Sequence, residues 1–160
     1  MKRLILLSAV TLLISASTIR ADEGVRVPAI DHATTLKECG ECHLAFPPQM
    51  LPARSWEKLM GDLANHFGEN ASLDQAVRDD IASYLASHAA DAPTTKGGAR
   101  FIKGLAADAI PLRITETPYW KTEHAEIRDD RYKDPKTKSK ANCIACHRTA
   151  EKGEFLEEDN

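Results

Sequence analysis

The chain has 160 residues, 42% hydrophobic and only 6% aromatic, with 21 basic against 24 acidic side chains and a net charge of -3. That balance carries no nucleic-acid signature. A chain of this size forms one domain or two small lobes, and small lobes struggle to bury enough apolar surface without help.

Lys2 and Arg3 precede an almost wholly apolar stretch from Leu4 to Ala16, the pattern of a secretion signal and too short to span a membrane. Cleavage is expected after Ala21, although Ile19 makes the small-residue pattern imperfect. The mature chain, Asp22 to Asn160, then loses Lys2, Arg3 and Arg20 and is more acidic still. A periplasmic protein, not membrane-spanning once processed, is the expectation.

Thr34 to His43 reads as a short helix opening at a threonine. Pro47, Pro48 and Pro52 make the following segment an extended loop. From Ser55, the residues Trp56, Leu59, Met60, Leu63 and Phe67 share one helical face, with Gly68 and Asn70 as the stop. A second helix is expected from Ser72, where Ser72 and Gln75 fit a capping box, to about Ala90, with Val77, Ile81, Tyr84 and Leu85 as its apolar stripe. Asp91 to Arg100 collects Pro93, Gly97 and Gly98 and is the candidate boundary between lobes. Thr117 caps and Pro118 opens a further helix, with Trp120, His124 and Ile127 on one face. Arg131 to Lys140 reads as a solvated basic loop, Asn142 to Ala150 as a short helix, and the acidic tail from Glu151 as unstructured. No stretch alternates like a strand.

All four cysteines fall in two copies of one pattern, Cys39-Gly40-Glu41-Cys42-His43 and Cys143-Ile144-Ala145-Cys146-His147. In c-type attachment each thiol adds to a haem vinyl group while the histidine turns onto the iron. Two disulfides would not require the two histidines. A four-cysteine zinc site would have to span 100 residues between pairs, and a thioredoxin-like dithiol would need a βαβ context. The expectation is two covalently bound haem c groups, attached at Cys39, Cys42, Cys143 and Cys146, with His43 and His147 on the irons. Each porphyrin would supply the apolar core that the chain lacks.

The second axial ligand decides whether an iron only passes electrons or also binds a substrate. His66, at a helix end, is favoured for the first haem. His88, on the face of Val77, Ile81 and Tyr84, is its rival, and residue geometry leaves the two open. His124 is the spare histidine of the second half and the expected ligand there. His32 is expected to be exposed, Met60 to be core, and Met50 to lie too close to His43 to reach the opposite haem face. Arg131, Lys133, Lys136, Lys138 and Lys140, beside an acidic tail with Glu151, Glu154, Glu157, Glu158 and Asp159, are a candidate docking surface, weighed against an ordinary solvated loop.

The stretches CGECHLAFPPQMLP, SWEKLMGDLANHFGENASL, IASYL, ITETPYW followed by EH, and NCIACH resemble the small periplasmic dihaem cytochromes c of the DHC type over nearly the whole mature chain. The resemblance implies an all-α, haem-centred protein with a class I cytochrome c-like lobe at 22–91 and a mostly irregular lobe at 92–160, after a signal peptide at 1–21. It implies bis-histidine, low-spin haems, with the second ligand of the first haem coming from the segment before the last helix of the first lobe, which favours His66 over His88. It also implies an electron carrier whose partners include an oxygen-binding monohaem cytochrome or a membrane b-type cytochrome. The rival class is a haem enzyme, a peroxidase or small-molecule reductase, with one open iron.

Overall fold

The computed structural model describes residues 24–156; the expected signal peptide with its cleavage point, and Glu157, Glu158 and Asp159, lie outside them. The protein is helix-rich with little strand. Its helices are α1 (Ala33–Gly40), α2 (Ala53–Met60), α3 (Gln75–Ser87) and α4 (Pro118–Glu123), joined by loops and single 3-10 turns. No described helix is long and apolar enough to cross a membrane.

Helices α2 and α3 build one core. Trp56, Met60, Ile81, Leu85 and Ala89 are buried together with Leu51, and complete burial of an aliphatic side chain such as Ile81 contributes roughly 1.5–3 kcal/mol. The proline-rich segment before α2, expected as an extended loop, is largely buried. Pro48–Met50 forms a buried 3-10 turn, and the Trp56 indole donates to the Pro48 carbonyl at 2.7 Å. Prolines lack the N–H that burial would leave orphaned, so an irregular segment rich in them is cheap to enclose.

Several boundaries depart from the sequence expectation. Helix α1 opens at His32 rather than at a threonine, because the Thr35 N–H donates to His32 Nδ1. It stops at Gly40, so Cys42 and His43 sit in the turn beyond it. Helix α2 ends at Gly61, the poorest helix former in its stretch, where the expected helix ran on to Gly68; Leu63–Asn65 is a separate 3-10 turn. Helix α3 starts at Gln75 without a side-chain cap, so the Ser72–Gln75 box does not form. Around the second motif the expected helix is replaced by 3-10 turns at Cys143–Ala145 and Ala150–Lys152. Only α4 starts as read, with Thr117 Oγ1 accepting from the Trp120 N–H at 3.2 Å, and it ends at Glu123, before Ile127.

Two further findings were not anticipated. Strand β1 (Val25–Arg26) pairs antiparallel with β2 (Glu154–Phe155), Val25 opposite Phe155, so the expected loose tail is pinned at least that far. Val25 and Phe155 join Met50, Ala90, Phe101 and Ala150 in a second core drawn from both ends of the chain. The Asp91–Arg100 stretch is also firmly packed at its ends. Asp91 accepts from the Ala53 N–H at 2.8 Å and pairs with Arg54 at 3.3 Å. A Cβ on buried Gly98 would collide with the Ala90 carbonyl.

Candidate functional site

The two cysteine-histidine motifs each meet a distant histidine. The rings of His43 and His66 lie 6.1 Å apart between centroids and are tilted by 22°. Those of His124 and His147 lie 6.2 Å apart at 86°. Imidazole nitrogens bind first-row metals at about 2 Å, so two rings sharing one metal sit roughly 6 Å apart. Each pair therefore has the spacing that one iron between them requires.

The tautomers fit the same use. His43 Nδ1 donates to the Leu44 carbonyl at 2.7 Å, His124 Nδ1 to the Trp120 carbonyl at 2.9 Å, and His147 Nδ1 to the Leu156 carbonyl at 2.9 Å. A carbonyl only accepts, so the proton must stand on Nδ1, which leaves the Nε2 lone pair available to a metal. Among the described residues the His66 ring has no hydrogen-bond partner. Burial holds its pKa below the ordinary histidine value, with His43 and Arg113 adding to the effect, so the neutral form that ligation needs is favoured.

Local structure explains the placement. His124 is the C-cap of α4 and stacks on Trp120, one helical turn earlier, at 4.3 Å and 12°, as the shared face of Trp120 and His124 leads one to expect. Ile127, read onto the same face, is exposed. His147 follows a single α-type turn, its N–H donating to the Cys143 carbonyl at 2.8 Å, and packs edge-on to Phe155. His66 ends the 3-10 turn after α2, with Phe67 against it at 4.9 Å.

The other two histidines are engaged elsewhere. His88 caps α3, donates Nδ1 to the Tyr84 carbonyl and packs on the Tyr84 ring at 4.5 Å. His32, expected to be exposed, is half-buried. Its Nδ1 accepts at the start of α1, its ring stacks on Tyr84 at 4.6 Å, and its Nε2 lies 3.4 Å from Asp80. Met50 and Met60 are both buried core.

Among the described residues no disulfide joins any of the four cysteines. Burial raises the pKa of Cys39, with nearby Glu38 adding to it, and pushes that of Cys143 up to about 11. No cluster of three or more His, Cys, Asp or Glu side chains arranged for a metal occurs among the described residues. Two facing histidines beside each cysteine pair suit a prosthetic group that brings its own metal. The sequence reading missed the residues supporting these rings: Phe67 and Arg113 beside His66, and Phe155 and the Leu156 carbonyl behind His147.

The dihaem cytochrome c family model matches residues 35–155. A dihaem cytochrome c structure from Rhodobacter sphaeroides is 46% identical, with a TM-score of 0.74 over 81% of this chain and 100% of its own. A second, of DHC purified from Rhodobacter sphaeroides, is 44% identical, with a TM-score of 0.65 over 79% and 99%. A dihaem cytochrome type c from Shewanella baltica is 38% identical, with a TM-score of 0.60 over 76% and 84%. No curated protein matches the chain.

Proposed function

Because the chain belongs to the dihaem cytochrome c family, whose members carry two covalently bound haem c groups, we propose that it is a periplasmic electron carrier with both irons closed by pairs of histidines. Cys39 and Cys42 attach the first haem, with His43 and His66 as its axial ligands. Cys143 and Cys146 attach the second, with His147 and His124. The single observation that carries this reading is the pairing of the rings at 6.1 and 6.2 Å.

Each haem, when bound, supplies an iron that takes up and gives back one electron. The chain's own part is to hold, bury and present it. Backbone carbonyls fix His43, His124 and His147 with Nε2 free, and the buried thioethers of Met50 and Met60 are kept in the packing. Held by two histidines each, the irons would leave no place for oxygen or peroxide to coordinate, and their potentials would fall below those of methionine-ligated c-type haems.

The lobes run 22–91 and 92–160. Ile114, packed against both cores, and the contact of Arg113 with Phe67 bind them together, which favours electron exchange between the haems. Export follows from the apolar segment behind Lys2 and Arg3, with cleavage near Ala21. Redox partners include an oxygen-binding monohaem cytochrome or a membrane b-type cytochrome.

Reductive titration of the purified holoprotein under carbon monoxide tests the proposal. Two one-electron equivalents per chain, with spectra indifferent to the gas, are expected. Ready uptake of carbon monoxide by either reduced haem would replace the carrier with a haem enzyme or ligand-binding protein.

A further inference from the structure

His66 is held unlike the other three proposed ligands, His43, His124 and His147. Resting on its assignment as the second ligand of the first haem, we propose that Phe67 and Arg113 are positioning residues for His66, and that the Arg113 charge raises the reduction potential of that haem.

The backbone supplies the first argument. The His66 carbonyl accepts from the Glu69 N–H at 3.1 Å, and the two residues between have φ of 55° at Phe67 and 102° at Gly68. Left-handed backbone at both central positions suits Asn, Asp or Gly and is unusual for a bulky side chain. An asparagine would make this turn with less strain. A phenyl ring at this position calls for another explanation.

Its contacts do explain it. The ring packs at 4.9 Å and 64° against His66, and the Arg113 guanidinium carbon lies 3.9 Å from its centre. Among the described residues no hydrogen bond fixes the His66 ring, so this row of imidazole, phenyl and guanidinium stands where a carbonyl tether serves the other three. Arg113 is itself steadied. Its Nε is 3.6 Å from the Glu116 carboxylate, and the next residue, Ile114, packs on both cores.

The charge has a separate consequence. A guanidinium beside a ligand favours the state of the iron with one positive charge fewer, which is the reduced one. Solvent and Glu116 screen it, so the effect is modest. Because Arg113 comes from the second half of the chain, any shift there reaches the first haem.

Potentiometric titration of the holoprotein, resolving the two haems spectroscopically and followed by carbon monoxide addition, tests both roles. Arg113→Gln is expected to move the one-electron equilibrium of the first haem roughly threefold toward the oxidised form, about 30 mV at 59 mV per decade, with the second haem unmoved. Arg113→Lys should keep the wild-type potential. Phe67→Asn, which suits the turn, should give a first haem that binds carbon monoxide in part. An unmoved potential in Arg113→Gln, or an equal fall in Arg113→Lys, overturns the charge effect. A first haem as closed in Phe67→Asn as in the wild type overturns the positioning. Were the wild-type first haem not bis-histidine, the His66 assignment itself would fail, and that would be visible before any variant.

Discussion

The two histidine pairs have nearly equal separations, 6.1 and 6.2 Å, and unlike surroundings. The first sits against the paired helices α2 and α3, and its two rings are nearly parallel. The second sits among 3-10 turns, a six-residue helix and a two-residue strand pair, and its rings are nearly perpendicular. Where regular structure is scarce, the support comes from specific contacts: Trp120 on His124, and Phe155 and the Leu156 carbonyl on His147. The same pairing of histidines can therefore be positioned by a helical scaffold or by a few aromatic and backbone contacts, and the second way leaves each contact more exposed to mutation.

The sharpest break in this comparison should come from the ligands themselves. His66→Ala and His124→Ala are each expected to turn one haem from indifferent to carbon monoxide into one that binds it, with the other haem unchanged. Because His124 also gives Trp120 its stacking partner, His124→Ala should lower the denaturation midpoint more than His66→Ala does.

Phe155→Ala comes next. Removing a buried phenylalanine typically costs about 3–5 kcal/mol, and this one is shared between the strand pair and His147. Equilibrium denaturation should show that loss, with the spectrum of the second haem changing before that of the first. Simultaneous loss of both would mean that the halves are not supported independently.

A smaller effect is expected at Thr117, the cap of the helix that ends in His124. Thr117→Ala should cost about 1 kcal/mol, and its spectroscopic trace should appear at the second haem alone.

The smallest concerns docking. Lys136 and Lys138 are exposed, and Lys140 pairs with Asp129 at 2.9 Å beside the Tyr132 ring. If this stretch steers a partner to the second haem, Lys136→Gln with Lys138→Gln should slow electron transfer and flatten its dependence on salt. Unchanged rates would leave the stretch as a solvated loop.

What the sequence made legible was local or periodic. Two Cys-x-x-Cys-His motifs announce their chemistry, the spacing of four between Trp56 and Met60 and between Ile81 and Leu85 marks the paired core helices, and Thr117-Pro118 marks the start of α4. The rest depends on contacts that leave no such trace. Two-residue strands are too short to alternate, so the pairing of Val25 with Phe155 was invisible. His32 reads as a surface residue until Tyr84, far along the chain, is placed against it. The tethers of His43, His124 and His147 are backbone carbonyls, which every residue possesses. Gly68 and Asn70 signal a turn, but nothing in the run HFGEN says that Phe67 takes the left-handed position or that Arg113 comes to meet it.

Low-temperature electron paramagnetic resonance of the oxidised holoprotein tests the central claim most directly, because ring orientation sets the splitting of the iron d orbitals. Two low-spin signals are expected: a rhombic one from the near-parallel pair at 22° and a strongly anisotropic one from the near-perpendicular pair at 86°. A high-spin signal from either iron would contradict the assignment of histidine to both faces of both haems.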